Sequence, residues 1–341
     1  ETVNFNVSFE NTGSDVGYGP TVDLIFLAAG ADGDDGVSFA SATYLGNAVN
    51  SVVTTFGNDS NGFGVVEHPF FKIAQNETQA ITIDPATTGG TFTLSFGGQT
   101  TSDLAFDADS ATVQAALESL SSVSPGEVNV TGSMSDGYVL VEFIGAQSQV
   151  DVGDITVDSV NLIGGAAAAL TVNDGSSTAT KQRLFGRAGD ELVTLELPFG
   201  SFAPGQPAAS ISVTGNVSEN ADLGEELVIG SRSAFRFGED PVDNPDADAV
   251  LLSDDQVDVS GASGASSRWS ETTSLNPTLI SLQKTFNGSE NETATGPSYE
   301  HQYQIRVDIA DGQTITDLDV IDSLPDNIVV TGIDSVTVNG S

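Results

Sequence analysis

The chain opens on an alternation. Val3, Phe5, Val7 and Phe9 are separated by Asn4, Asn6 and Ser8, the period of a strand with one buried face. Asn11-Thr12-Gly13 carries turn chemistry, and Val22, Leu24 and Phe26 begin a second strand. The same layout returns near the other end. There Tyr303, Ile305, Val307 and Ile309 alternate before Asp311-Gly312, and Ile315, Leu318 and Val320 lead to Asp322-Ser323-Leu324-Pro325. Both stretches read as related β-hairpins from sandwich domains. Further strands are predicted at 37–45, 49–56 and 64–73, parted by clusters such as Gly57-Asn58-Asp59-Ser60-Asn61-Gly62. Turn signals at that spacing predict an antiparallel sandwich.

The texture changes near residue 77. Gly90-Thr91-Phe92-Thr93-Leu94-Ser95-Phe96 reads as a strand, and one helix follows over 110–121. Asp109 or Ser110 can cap it, and Val113, Ala116, Leu117 and Leu120 fall on one face. Strands resume after Pro125-Gly126 at 127–131, 137–144, 154–158 and 168–172. From Leu192 onward the earlier sandwich texture returns, with Leu192, Thr194 and Glu196 alternating against Val193, Leu195 and Leu197. The expected organisation is a discontinuous first sandwich (1–76 and 181–275), a β-rich module at 77–180 inserted in one of its loops, and a last module at 276–341. Three domains in tandem is the competing arrangement. The last module's strands are predicted at 279–286, 301–310, 314–321, 327–332 and 334–338. At about 65 residues it is short for a sandwich of roughly 100, so it is expected to be cut short or completed by a strand from elsewhere. The first residues already read as strand, so the chain is expected to be a mature or excised piece of a longer protein.

Charge changes the picture most. Asp and Glu total 48 against 9 Lys and Arg, a formal net charge of −39. Such a surface repels nucleic acid and anionic membrane, so neither is expected as a partner. Self-repulsion on this scale is tolerable where salt screens it, the Debye length being about 8 Å at physiological ionic strength and about 3 Å at 1 M. No run approaches the roughly 20 apolar residues of a membrane span, so no direct membrane insertion is expected. The chain has no cysteine, which removes disulfides, zinc knuckles and thiol nucleophiles.

Acidic loops supply the candidate chemistry. Asp32-Gly33-Asp34-Asp35-Gly36 places the carboxylates of Asp32, Asp34 and Asp35 on one loop, and calcium takes about 6–8 oxygens from such loops. A second cluster is Asp240, Asp243, Asn244, Asp246 and Asp248; a third is Glu290 and Glu292. Each reads equally as a solvated loop of an acidic protein. Among the Asn-x-Ser/Thr sequons, Asn58, Asn287 and Asn291 lie in predicted loops and are the accessible glycosylation candidates. Lys284, on an opening strand, stands where a reacting lysine of an intramolecular isopeptide would stand, but a surface lysine is the better reading because no partner is evident. The only histidines, His68 and His301, lack a nucleophile context, and no phosphate loop or dinucleotide fingerprint occurs. No catalytic function is expected.

Two resemblances follow from these residues. The stretch 78–175, chiefly Gly90 to Phe96 and Ala111-Thr112-Val113-Gln114-Ala115-Ala116-Leu117-Glu118, resembles a small β-rich module of large surface and phage-structural proteins. Lys284-Thr285-Phe286, the strand at 303–309 and Asp322-Ser323-Leu324-Pro325-Asp326-Asn327 resemble the conserved-repeat Ig-like domains of large prokaryotic surface proteins. The resemblance implies an all-β fold of tandem antiparallel Ig-like β-sandwiches in an extracellular, structural or adhesive protein that is often calcium-loaded. The expected partners are copies of the chain itself or neighbouring modules of the same large protein. An adhesin or carbohydrate-binding module reading surface glycans is the alternative.

Overall fold

In the computed structural model, the residues described are 2–29, 35–221, 226–244, 250–251, 271–275, 280–287, 302–309, 316, 318–324 and 328–337. The fold is all-β, with antiparallel sheets and, among the described residues, one α-helix. Contacts divide the chain into two compact units, Glu1–Thr278 and Leu279–Ser341.

Two sheets of the first unit form a sandwich. The first runs Thr2–Phe9, Ala209–Val217, Val37–Tyr44, Asn47–Ala48. The second runs Val250–Leu251, Leu227–Phe237, Gly17–Phe26, Glu191–Glu196, Asn50–Thr55; Ser201–Phe202 and Glu271–Leu275 add to it from the side. The alternation noted in the sequence decides what meets between them. Val22, Leu24, Phe26, Val193 and Leu195 of the second sheet pack on Phe9, Val37, Ala42, Ile211 and Val213 of the first. Burial of each such side chain stabilises by roughly 1.5–3 kcal/mol.

The first predicted hairpin does not form. Thr2–Phe9 pairs with Ala209–Val217, whereas Gly17–Phe26 pairs with Glu191–Glu196 and Leu227–Phe237. The turn chemistry at Asn11 is nonetheless present. Its Oδ1 accepts the Gly13 N–H at 3.0 Å, and its Nδ2 donates to Asp15 O at 2.9 Å and Phe202 O at 2.8 Å. The turn carries the chain from one sheet to the other instead of folding it back.

The second sheet is buried on both faces. Ile25 and Leu192 point away from the sandwich core and meet Phe56, Val66 and Leu184. Val66 and Leu184 belong to a two-stranded ribbon of Phe63–Gln75 and Ser176–Arg187, which forms a third layer. That burial explains the near-continuous apolar run Val22-Asp23-Leu24-Ile25-Phe26, in which one residue is polar.

The ribbon leads into residues 77–180. Gln75 faces Ser176 at the ribbon's end, and Thr78 faces Asn173 at the start of the next sheet. That sheet runs Val128–Ser133, Tyr138–Phe143, Thr78–Ile83, Ala167–Asn173. Gly89–Phe96 organises a second sheet, and Ile81, Phe92, Leu94, Val139, Val141 and Phe143 meet between the two. The helix Ser110–Glu118 closes this core with Val113, Ala116 and Leu117. Asp109 caps it, its Oδ1 accepting the Thr112 N–H at 2.8 Å; those hydrogen bonds hold its carboxyl below the usual range. The helix stops short of the predicted residue 121. Ser119 caps the end, and its hydroxyl donates to Ala116 O at 2.6 Å, the local competition by which serine ends helices. Phe63, Ala80, Tyr138, Leu140, Val172 and Phe185 form a further cluster shared by the ribbon and this sheet.

In the second unit Ile280–Phe286 pairs with Tyr303–Ile309. The predicted strands 314–321, 327–332 and 334–338 are not found among the described residues, where 318–324 and 328–337 carry no strand. The turn of the second predicted hairpin, 310–315, lies outside the described residues; among those described, Tyr303–Ile309 takes the preceding strand as its partner.

Candidate functional site

Two places stand out: a polar network sealed inside the first unit and an open edge on its surface. The network centres on Asp23, whose side chain points toward the ribbon layer. His68 Nε2 lies 3.0 Å from both Asp23 oxygens, Arg232 Nε donates to Oδ2 at 2.7 Å, and Thr194 Oγ1 donates to Oδ1 at 2.8 Å. Arg232 Nη2 also donates to Gln182 Oε1 at 3.0 Å. All five residues are buried, His68 and Thr194 completely. Burial by itself raises the Asp23 carboxyl; the Arg232 guanidinium first, then His68 and Thr194, outweigh it and hold the group well below the usual carboxylate range.

His68 owes its orientation to Pro69. The ribbon register slips between Lys181/Lys72 and Arg183/Glu67, so residues 68–71 bulge opposite Gln182. The freed N–H groups of Phe70 and Phe71 both donate to His68 Nδ1 at 3.1 Å. Nδ1 is thus an acceptor, and the ring proton sits on Nε2, donated to Asp23. Phe71 stacks on the imidazole at 4.0 Å between centroids. With both nitrogens engaged and the Thr194 hydroxyl donating to Asp23, the arrangement ties three strands of the second sheet to both strands of the ribbon. Sequence reasoning missed this network; one polar position inside an apolar strand, Asp23, was the available signal.

A second buried carboxyl behaves differently. Asp190 is 0% exposed; Oδ1 accepts the Ala29 N–H at 3.1 Å, and Oδ2 has no partner among the described residues. Burial pushes this carboxyl up to about 7, against the Ala29 hydrogen bond and nearby Arg187. Glu77, where the ribbon passes into the next sheet, is likewise raised by burial although Gly175 N–H and Gln79 Nε2 both donate to it.

The open edge is Thr2–Phe9. Among the described residues it terminates the first sheet, with Ala209–Val217 on one side only. Val3, Phe5 and Val7 are half-buried against the core; Asn4 and Asn6 face outward and accept hydrogen bonds from Thr214 and Ser212. A cleft of about 370 Å³ runs beside the strand, lined by Phe5, Asn6, Val7, Ser8, Leu24, Ile229, Ser231 and Thr273. No charged side chain lines it.

Of the predicted metal ligands, Asp35 is buried at 4% exposure. Asp240 and Asp243 lie in a short turn after Leu227–Phe237. Asp240 Oδ1 accepts the Val242 N–H at 2.9 Å, and its carbonyl accepts the N–H groups of Asp243 and Asn244. Asp32, Asp34, Asp246, Asp248, Glu290 and Glu292 lie outside the described residues. Among the described residues no three acidic or histidine side chains are grouped to hold a metal. Asn58 and Asn287 are exposed; Asn291 and His301 lie outside the described residues. Lys284 does have a partner: Nζ donates to both Asp322 oxygens at 2.7 Å and lies 4.8 Å from the Tyr303 ring centre. The pair is about one-third exposed, an ion pair at the surface of the second unit.

No protein-family model matches the chain, and no curated protein matches it. A solved structure from Mycobacterium phage Patience is similar at 15% identity, over 40% of this chain and 61% of that one, with a TM-score of 0.22. A likeness of that size assigns neither fold nor function.

Proposed function

We propose that this chain is a β-sandwich building block of an extracellular filament, stalk, sheath or surface layer. One observation carries the reading: the second unit has strand-patterned apolar residues, and its described residues form no core to hold them. Ile321, Val329, Ile333 and Val336 are at least 80% exposed, and the described sheet there has two strands. An isolated two-stranded sheet is marginal in water, and exposed apolar groups of this kind mark contact surfaces. Strands contributed by further copies or by neighbouring modules would cover them. The net charge of −39 suits a salt-rich exterior, where screening lets such copies approach. Calcium held by the acidic loops, with Asp35, Asp240 and Asp243 among the donors, would lower the repulsion further. Glycans on Asn58 or Asn287 would fit the same setting. Electron microscopy of the native material with and without chelator tests the proposal. Ordered polymer is expected, loosened by chelation; a dispersed monomer in both conditions and at high salt overturns it.

A further inference from the structure

We propose that the free edge of Thr2–Phe9 is an acceptor for an extended strand, and that the donor is residues 328–337 of a second copy of this chain. This rests on the building-block reading and names its contact.

The acceptor has the properties that edge strands normally avoid. It is eight residues long, contains no proline and no bulge against its one neighbour, and carries no charged side chain. Edges are ordinarily blunted by lysine, proline or a bulge because unpaired N–H and C=O groups recruit other strands. In a chain with 48 acidic residues, eight successive neutral positions on an open edge form a gap in an otherwise repulsive surface. The cleft beside it offers apolar walls at the half-buried Phe5 and Val7 for the side chains of an added strand, above the buried Leu24 and Ile229. Its volume, about 370 Å³, is at the lower end of ligand-sized clefts of ~300–1,000 Å³. Backbone pairing along the edge with side chains in an adjoining cleft is the recognition mode of strand addition.

The donor is argued from the same chemistry. Residues 328–337 (Ile-Val-Val-Thr-Gly-Ile-Asp-Ser-Val-Thr) are long enough to span the eight-residue edge and carry one charge, Asp334. Val329 is 81% exposed, Val330 66%, Ile333 80% and Val336 81%, and the segment makes no strand pairing with the described residues. It is β-branched, apolar and nearly neutral, which is what the cleft takes and what the rest of the acidic surface does not offer. A contact between like-charged copies through neutral segments strengthens as salt rises, opposite to an interface built on ion pairs.

The absence of cysteine makes the test clean. Full-length Asn6→Cys and Ile333→Cys chains are mixed in about 1 M salt under mild oxidation. The expected product is a mixed disulfide dimer in excess over both self-dimers. Ile333→Asp, at a position 80% exposed, should weaken assembly about tenfold or more by sedimentation, since one apolar anchor is lost. Asn6→Lys should do the same from the other side, with far-UV spectra unchanged in both. Assembly unaffected by both substitutions, or a bridge closing within one Asn6→Cys/Ile333→Cys chain, overturns the contact. Ordered polymer that persists despite these substitutions leaves the building-block reading standing and removes only this edge. Loss of all polymer in the unmodified chain removes both.

Discussion

Asp23 and Asp190 are both buried carboxyls, and they respond to pH in opposite directions. Asp23 is ion-paired, so its folded-state affinity for a proton is below that of the unfolded chain. The stability it contributes is present above the ordinary carboxylate range and is lost only as pH falls well below it. Arg232→Ala leaves this carboxylate buried without its cation and is expected to cost about 3–5 kcal/mol in chemical denaturation. Replacing Asp23 and Arg232 together by apolar residues should cost clearly less than that. Asp190 holds its proton up to about 7. Its contribution is complete below the unfolded carboxylate value near 3.9 and disappears as pH rises through 7, a change on the order of 4 kcal/mol for about three units. Asp190→Asn keeps the acceptor for the Ala29 N–H and cannot ionise. The variant should therefore flatten the melting temperature between pH 4 and 7 and be the more stable protein at pH 8.

The elements themselves were legible, and their partners were not. Alternation at Val3 to Phe9 and at Tyr303 to Ile309 located strands because the side-chain period of a strand is two. The same period is silent on which neighbour a strand takes, so two separate strands were read as hairpins. Asn11 made its predicted turn, yet a seven-residue connection is long enough to change sheets. The helix was legible from its cap and its apolar face, and its end was displaced because Ser119 competes for the backbone. The buried network was hidden for another reason: His68 before Pro69 looks like a loop until Asp23, Thr194 and Arg232, from three other strands, are brought to it. Local packing also sets an element-level expectation at Gly90. Its φ is +93° and an added Cβ would lie 2.1 Å from Asn161 O, a backbone atom. Gly90→Ala should destabilise the 77–180 portion by about 1–3 kcal/mol, read by hydrogen exchange of Leu94 and Ile81.

At the scale of the molecule, charge and topology act separately. Arg232 and Asp23 are enclosed as a pair, so the surface keeps the whole acidic excess of the chain, 48 acidic against 9 basic residues. Raising salt from about 0.15 to 1 M, which shortens the screening length from about 8 to 3 Å, should raise the melting temperature of the unmodified chain. An unchanged midpoint would mean that the acidic groups are too dispersed to strain the fold. The path of the ribbon has its own consequence. Only Asn76 and Glu77 separate its outgoing strand from the next sheet, and only Asp174 and Gly175 separate the returning one. The two crossing points lie side by side, so the layers beneath treat everything from Thr78 to Asn173 as a plug in a socket. Any folded segment whose ends sit one strand spacing apart, about 4.8 Å, could be fitted there, or a tight turn put in its place, without re-threading a single strand of the sandwich.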